Sequence, residues 1–170
     1  MKYITFLNKQ SKRALEKGLE KEAIKLLMLE LSGKSGAEFV SMLHDEIAEE
    51  QIEYLTKEID KYIVEGIPVQ HIIGHTYFYG YKMKVNKEVL IPRPETEELV
   101  GYVLSYYDEV FGGNKVDVVD VGTGSGAIAI ALAKEEANMS VKATDISSSA
   151  VEVAKENASV NGASVEFMVG

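Results

Sequence analysis

Apolar residues return at helical spacing through the first 66 residues. Leu19, Ala23, Leu26, Leu27 and Leu31 make one stripe, and Phe39, Val40 and Leu43 a second. Ile47, Ile52, Leu55, Ile59, Ile63 and Val64 make a third. Gly33 and Gly36 punctuate this run, Gly66 ends it, and no proline interrupts it. Stripes of this kind face a core, so the pattern predicts a small bundle of helices packed on one another. No grouping of chemically active residues is visible in it.

The texture then changes. All three prolines, Pro68, Pro92 and Pro94, fall in one short stretch, where fixed φ angles favour a defined, extended path. Inside it, His75–Tyr79 and Tyr81–Val85 flank Gly80 and read as a hairpin. Tyr81, Met83 and Val85 alternate with Lys82 and Lys84, the period of a half-exposed strand. His71 and His75 are four apart, but Gly74 intervenes and no third ligand is apparent, so a metal site is rejected.

Ile91–Val100, IPRPETEELV, reads as a helix start, with Pro94 in the first turn and glutamates favoured by the helix dipole. Arg93, one of two arginines in the chain, is not explained by that reading. A helix over Val100–Phe111 is followed by a turn at Gly112–Asn114. Val116, Val118, Val119 and Val121 then form a β-branched run of the kind that makes a buried strand. Ala127–Ala133 reads as a helix, Ser140–Thr144 as a second strand ending in Asp145, and the next helix runs to about Val160. Ser147–Ser149 supplies caps for that helix, including a Ser149–Glu152 capping box. Val165–Val169 begins a third strand.

Strand, helix, strand, helix, strand implies a parallel sheet. The fold class is therefore α/β: a helical bundle over 1–70, a hairpin linker over 71–92, and the first half of a doubly wound, Rossmann-like domain over 93–170.

The loop between the first strand and its helix carries Gly122, Thr123, Gly124, Ser125 and Gly126. Glycine lets backbone approach a ligand, and unpaired N–H groups at a helix start face it, so a nucleotide cofactor is expected there. Asp145, at the end of the second strand, is placed to accept hydrogen bonds from both hydroxyls of a ribose. Asp120, just before the loop, reads either as a cap of loop amides or as a partner for a cationic group. This geometry suits NAD and S-adenosylmethionine alike.

Composition narrows the classes. The 170 residues are 46% hydrophobic and 26% charged, which fits a soluble globular chain. Formal charge is −9 with no basic stripe, which argues against direct nucleic-acid binding. Cysteine is absent, so nothing calls for an oxidising compartment, and neither a signal peptide nor a membrane span is visible. Cytoplasm is the expected location.

DVGTGSGAIAIALA (120–133), with TDIS, AKENA and NG after it, resembles class I S-adenosylmethionine-dependent methyltransferases. PVQHIIGHTYFYGYKMKVNKEVLIPRPETEELV (68–100) resembles more specifically the HemK/PrmC family, which methylates the side-chain amide of the Gly-Gly-Gln glutamine in peptide chain release factors. The resemblance covers essentially the whole chain. It implies S-adenosylmethionine as cofactor, held by Gly122–Gly126 and Asp145 with Asp120, Arg93 and Thr96 as further candidates. It also implies Phe78 against the substrate glutamine, Tyr77, Tyr79 and Tyr81 as packing residues, and the helical domain as the part that recognises release factors in translation termination.

The family's Asn-Pro-Pro-Tyr motif, which holds the acceptor amide, has no match here and is expected after a fourth strand, beyond Gly170. No catalytic residue is therefore assigned, and the 170 residues alone are expected to have little activity. The nearest alternative is a methyltransferase for another protein substrate; those from other classes are an NAD-linked oxidoreductase and a non-enzymatic docking module.

Overall fold

The computed structural model describes every residue from Met1 to Gly170 and divides into two units, Met1–Ile73 and Gly74–Gly170. The first is helical throughout: α1 (Tyr3–Glu16), α2 (Glu22–Ser32), α3 (Gly36–Met42), α4 (Glu49–Ile63) and α5 (Val69–Ile73). The apolar stripes converge as their spacing requires. Phe6 and Ala14 of α1, Ile24, Leu27 and Met28 of α2, Phe39 of α3 and Leu55 and Ile59 of α4 share one buried cluster. Val40 and Val64, counted into two of the stripes, are exposed, because each sits off the inward face near a helix end.

Polar groups fix this bundle's edges. Ser35 and Glu38 form a reciprocal capping box at the start of α3, satisfying two backbone donors. Arg13 donates to buried Gln10 at 2.6 Å and to Asp60 at 2.8 Å, joining α1 to α4.

The second unit opens with the hairpin β1 (His75–Phe78) and β2 (Tyr81–Lys84). Phe78 pairs with Tyr81, so the turn is the two residues Tyr79–Gly80. Both have positive φ, 51° and 81°, the conformation of a type I′ turn whose twist matches the flanking strands. Tyr79 therefore belongs to the turn rather than to the strand expected from sequence. Nor is this segment only a linker: Phe78 and Met83 lie in the buried cluster of the α/β unit with Val100, Ala127 and Ile130.

After α6 (Glu95–Phe111) come β3 (Val116–Val121), α7 (Ala127–Glu135), β4 (Met139–Asp145), α8 (Ser148–Asn161) and β5 (Val165–Val169). The strands form a parallel sheet in the order β3-β4-β5. Successive right-handed crossovers in one direction put both connecting helices on one face, and α7 and α8 indeed pack on β4 and on each other. This is the one-sided half of a doubly wound sheet.

Register sorts the side chains into two faces. Val118, Val141 and Val165 are aligned beneath the helices, whereas Val119, Lys142 and Glu166 are aligned on the other face, where Lys142 and Glu166 pair at 3.5 Å. The expectation of a buried first strand is corrected here. Val119 is 56% and Val121 78% exposed, because β3 is paired on one edge only and covered on one face only.

The start of α8 differs as well. Its cap is Ser147, whose side chain accepts from Ala150 N, and the Ser149–Glu152 box does not form. Asp145 accepts from Ser147 N at 3.0 Å, which holds that residue extended and starts the helix at the next one.

Candidate functional site

The glycine-rich loop leaves the C-terminal end of β3, the edge where ligands bind in open α/β sheets. Its path is set by hydrogen bonds to the end of β4. Gly122 N and Thr123 N both donate to Thr144 O, at 2.8 and 2.9 Å, and Gly124 N donates to Asp145 Oδ2 at 2.9 Å. Several of the loop amides expected to face a ligand are thus used within the protein. Asp120 accepts from Thr123 Oγ1 at 2.6 Å, so it caps the loop through a hydroxyl rather than through amides.

Gly122, Gly124 and Gly126 have φ of 77°, 56° and 82°, a region that L side chains rarely adopt. Gly126 has a second reason to be glycine. A Cβ there would stand 3.0 Å from Ala154 Cβ on α8, closer than ordinary van der Waals contact, so α8 or the loop would have to give by a few tenths of an ångström.

Two segments far apart in sequence meet beside this loop. A cavity of about 160 Å³ is lined by Phe78, Leu90, Pro92, Arg93, Thr96, Gly122–Ser125, Ala127 and Ile128. The structure therefore brings Phe78, Arg93, Thr96, Gly122, Thr123, Gly124 and Ser125 together. Gly126, Asp120 and Asp145 are not part of that lining, but Asp120 and Asp145 bond directly to Thr123 and Gly124, which are. A larger hollow of about 620 Å³ lies at the opposite, N-terminal end of the strands and touches none of these residues.

Phe78 is only 1% exposed, so its ring is a core residue whose surface also borders the cavity. Tyr79 and Tyr81 pack against the same core, but Tyr77, expected to pack, is 63% exposed because it alternates to the outer face of β1. The Tyr81 hydroxyl donates to Glu135 at 2.6 Å, and that bond, with a smaller contribution from burial, pushes its pKa up to about 12. His71 lies in α5 with Nε2 buried and unpartnered, and the chain holds no group of three or more potential metal ligands.

Glu97 was not singled out by sequence beyond its place in the IPRPETEELV helix start, yet it accepts from Tyr79 N at 2.8 Å. The first turn of α6 thereby holds the hairpin turn that follows Phe78. No local sequence signal marks this bond, whose partners are eighteen residues apart.

Comparison with known proteins follows this division of the chain. Residues 7–74 match the PrmC N-terminal domain family, and residues 101–170 match the ribosomal protein L11 methyltransferase (PrmA) family. A release factor glutamine methyltransferase of Bacillus subtilis is 46% identical over 156 residues, covering 91% of this chain and 54% of that protein. One from Streptococcus pneumoniae is 39% identical over 158 residues, covering 93% and 55%. Over about nine tenths of its length the chain is similar to release factor glutamine methyltransferases. It spans about half the length of the curated relatives it matches. Part of it also superposes on a Pyrococcus abyssi tRNA (uracil-54, C5)-methyltransferase, with TM-score 0.45, 24% identity, and coverage of 56% of this chain and 23% of that one.

Likeness to methyltransferases over nearly the whole chain implies S-adenosylmethionine as cofactor, and the donor and acceptor chemistry fits it. Each Asp145 oxygen accepts one backbone amide, from Gly124 and from Ser147. A carboxylate offers about four acceptor positions, so each oxygen keeps a lone pair for a ribose hydroxyl. The two backbone bonds also fix the carboxylate's orientation before any ligand arrives.

Proposed function

We propose that this chain forms the cofactor-binding part of an enzyme that methylates the side-chain amide nitrogen of the Gly-Gly-Gln glutamine in peptide chain release factors. The observation that carries the reading is the meeting of Phe78, Arg93 and Thr96 with Gly122–Ser125 around one cavity. The hairpin and the start of the following helix thus border the same cavity as the glycine-rich loop.

S-adenosylmethionine supplies, when bound, an electrophilic methyl group on a sulfonium. Asp145 is the group placed to hold the ribose, and the loop fixes Asp145 as much as Asp145 fixes the loop. Thr123 and Asp120 stiffen the loop from the β3 side. Phe78 borders the cavity and offers an apolar surface for the acceptor side chain. An amide nitrogen is a weak nucleophile because its lone pair is delocalised, so rate depends on orientation and on acceptors for its hydrogens. The resemblance assigns those acceptors to an Asn-Pro-Pro-Tyr motif, and the residues of this chain to binding the cofactor. The helical unit is assigned to recognition of the release factor, in the cytoplasm, during translation termination.

Parallel calorimetric titration with S-adenosylmethionine, S-adenosylhomocysteine and NAD tests the reading. Binding of the first two without NAD is the expected result. NAD binding alone would replace it with a hydride-transfer enzyme.

A further inference from the structure

No residue of the AKENA motif lines the cavity, yet the motif bonds to both walls of it. Residues three and four apart on a helix share a face, so Ala154, Asn157 and Ala158 present together from α8. Asn157 is 1% exposed. Its Oδ1 accepts from Lys84 N at 2.7 Å, and its Nδ2 donates to Lys84 O at 3.0 Å and to Ser125 O at 2.9 Å. Both amide donors and one acceptor position are thereby used. One turn further on, Asn161 Nδ2 donates to Lys82 O at 2.9 Å. The edge of β2 away from β1 is thus bonded by two asparagine side chains, where a larger sheet would place another strand. On the loop side, Ala154 is the small residue that Gly126 approaches.

We propose that Asn157 is a positioning residue for the cofactor site, fixing the Ser125 carbonyl, and with it the path of residues 122–126, against the hairpin that carries Phe78. The inference rests on the reading of this cavity as a cofactor site; Asn157 itself does not touch the cavity. The physical cause is the cost of unpaired buried polar groups. Without the amide, Lys84 N, Lys84 O and Ser125 O lose their partner together, and hairpin and loop must part to reach water. An aspartate of the same shape keeps the acceptor for Lys84 N but turns an oxygen towards two carbonyls.

The test compares the 170-residue protein with Asn157→Ala, Asn157→Asp and Val141→Ala, a core change in the same unit that leaves the loop's partners intact. Amide hydrogen exchange is read first, without cofactor, under conditions that match global stability. Protection at Gly124 and Gly126 is expected to fall about tenfold further in both Asn157 variants than in Val141→Ala. Affinity for S-adenosylhomocysteine is expected to fall by a similar factor in the Asn157 variants only. Loop exchange that merely follows global stability, or unchanged affinity in folded Asn157→Ala, would overturn the proposal. If the alanine variant does not fold, the isosteric aspartate decides in its place. Failure of the unaltered protein to bind S-adenosylhomocysteine would count against the cofactor reading, while the exchange comparison still decides the role of Asn157.

Discussion

The helical unit and the α/β unit use apolar residues differently. In the helical unit each stripe faces one way, and the other helices of the same unit close over it, so Leu27, Leu55 and Ile59 are wholly buried. In the α/β unit a strand such as β3 presents apolar groups to both faces, and only the face under α7 and α8 is covered. Valines in the same strand therefore have different energetic meanings: Val118 packs in the core, whereas Val119 and Val121 meet solvent. A one-sided amphipathic helix carries its burial in its own pattern; a β-branched strand does not say how many of its faces are covered.

This contrast is sharpest in stability. Leu27→Ala should cost ~2–5 kcal/mol, the range for deleting a buried leucine, read as a shift of the urea midpoint. Val121→Ala should cost less than about 0.5 kcal/mol, as for other exposed sites. A loss at Val121 as large as that at Leu27 would mean that the open face is covered in solution.

The next effect lies in the site. Asp145→Ala removes two charge-assisted bonds, to Gly124 and Ser147, and should weaken S-adenosylhomocysteine binding by at least about tenfold in calorimetry. The same change should leave the helical unit's unfolding unaltered. Smaller still is Glu97→Ala, which takes the acceptor from Tyr79 N in the left-handed turn. It should destabilise the α/β unit by about 1 kcal/mol, a typical single hydrogen bond, as read by thermal unfolding of that unit.

The smallest effect is alkaline. The Tyr81 pKa is raised, chiefly by its bond to Glu135, to about 12. The stability this bond contributes is present in full below pH 10, where folded and unfolded phenols are both protonated. It is lost as pH climbs from 10 towards 12, because the unfolded phenol ionises first. Tyr81→Phe should flatten that limb of the pH–stability curve.

Much of this was readable in the sequence because the signals were local. Gly80 marked the hairpin, alternation of Met83 and Val85 with lysines marked its buried side, and the glycines with Asp145 marked the loop. What was not readable depended on long-range partners. Nothing near Asn157 reveals that its amide reaches residues 73 and 32 positions away. Nor does the motif around Asp145 show that its oxygens orient Gly124 and Ser147, a role that moves the helix start from the expected box to Ser147. Phe78 was legible as a site candidate only by resemblance, since its own pattern reads as packing; the structure buries it in the core at the border of the cavity.

Amide chemical-shift mapping of the chain during titration with S-adenosylhomocysteine tests the central claim most directly. The account predicts shifts concentrated at Phe78, Arg93, Thr96, Gly122–Ser125 and Asp145, with Met1–Ile73 silent. Shifts centred in the helical unit, or at the N-terminal ends of the strands, would contradict it.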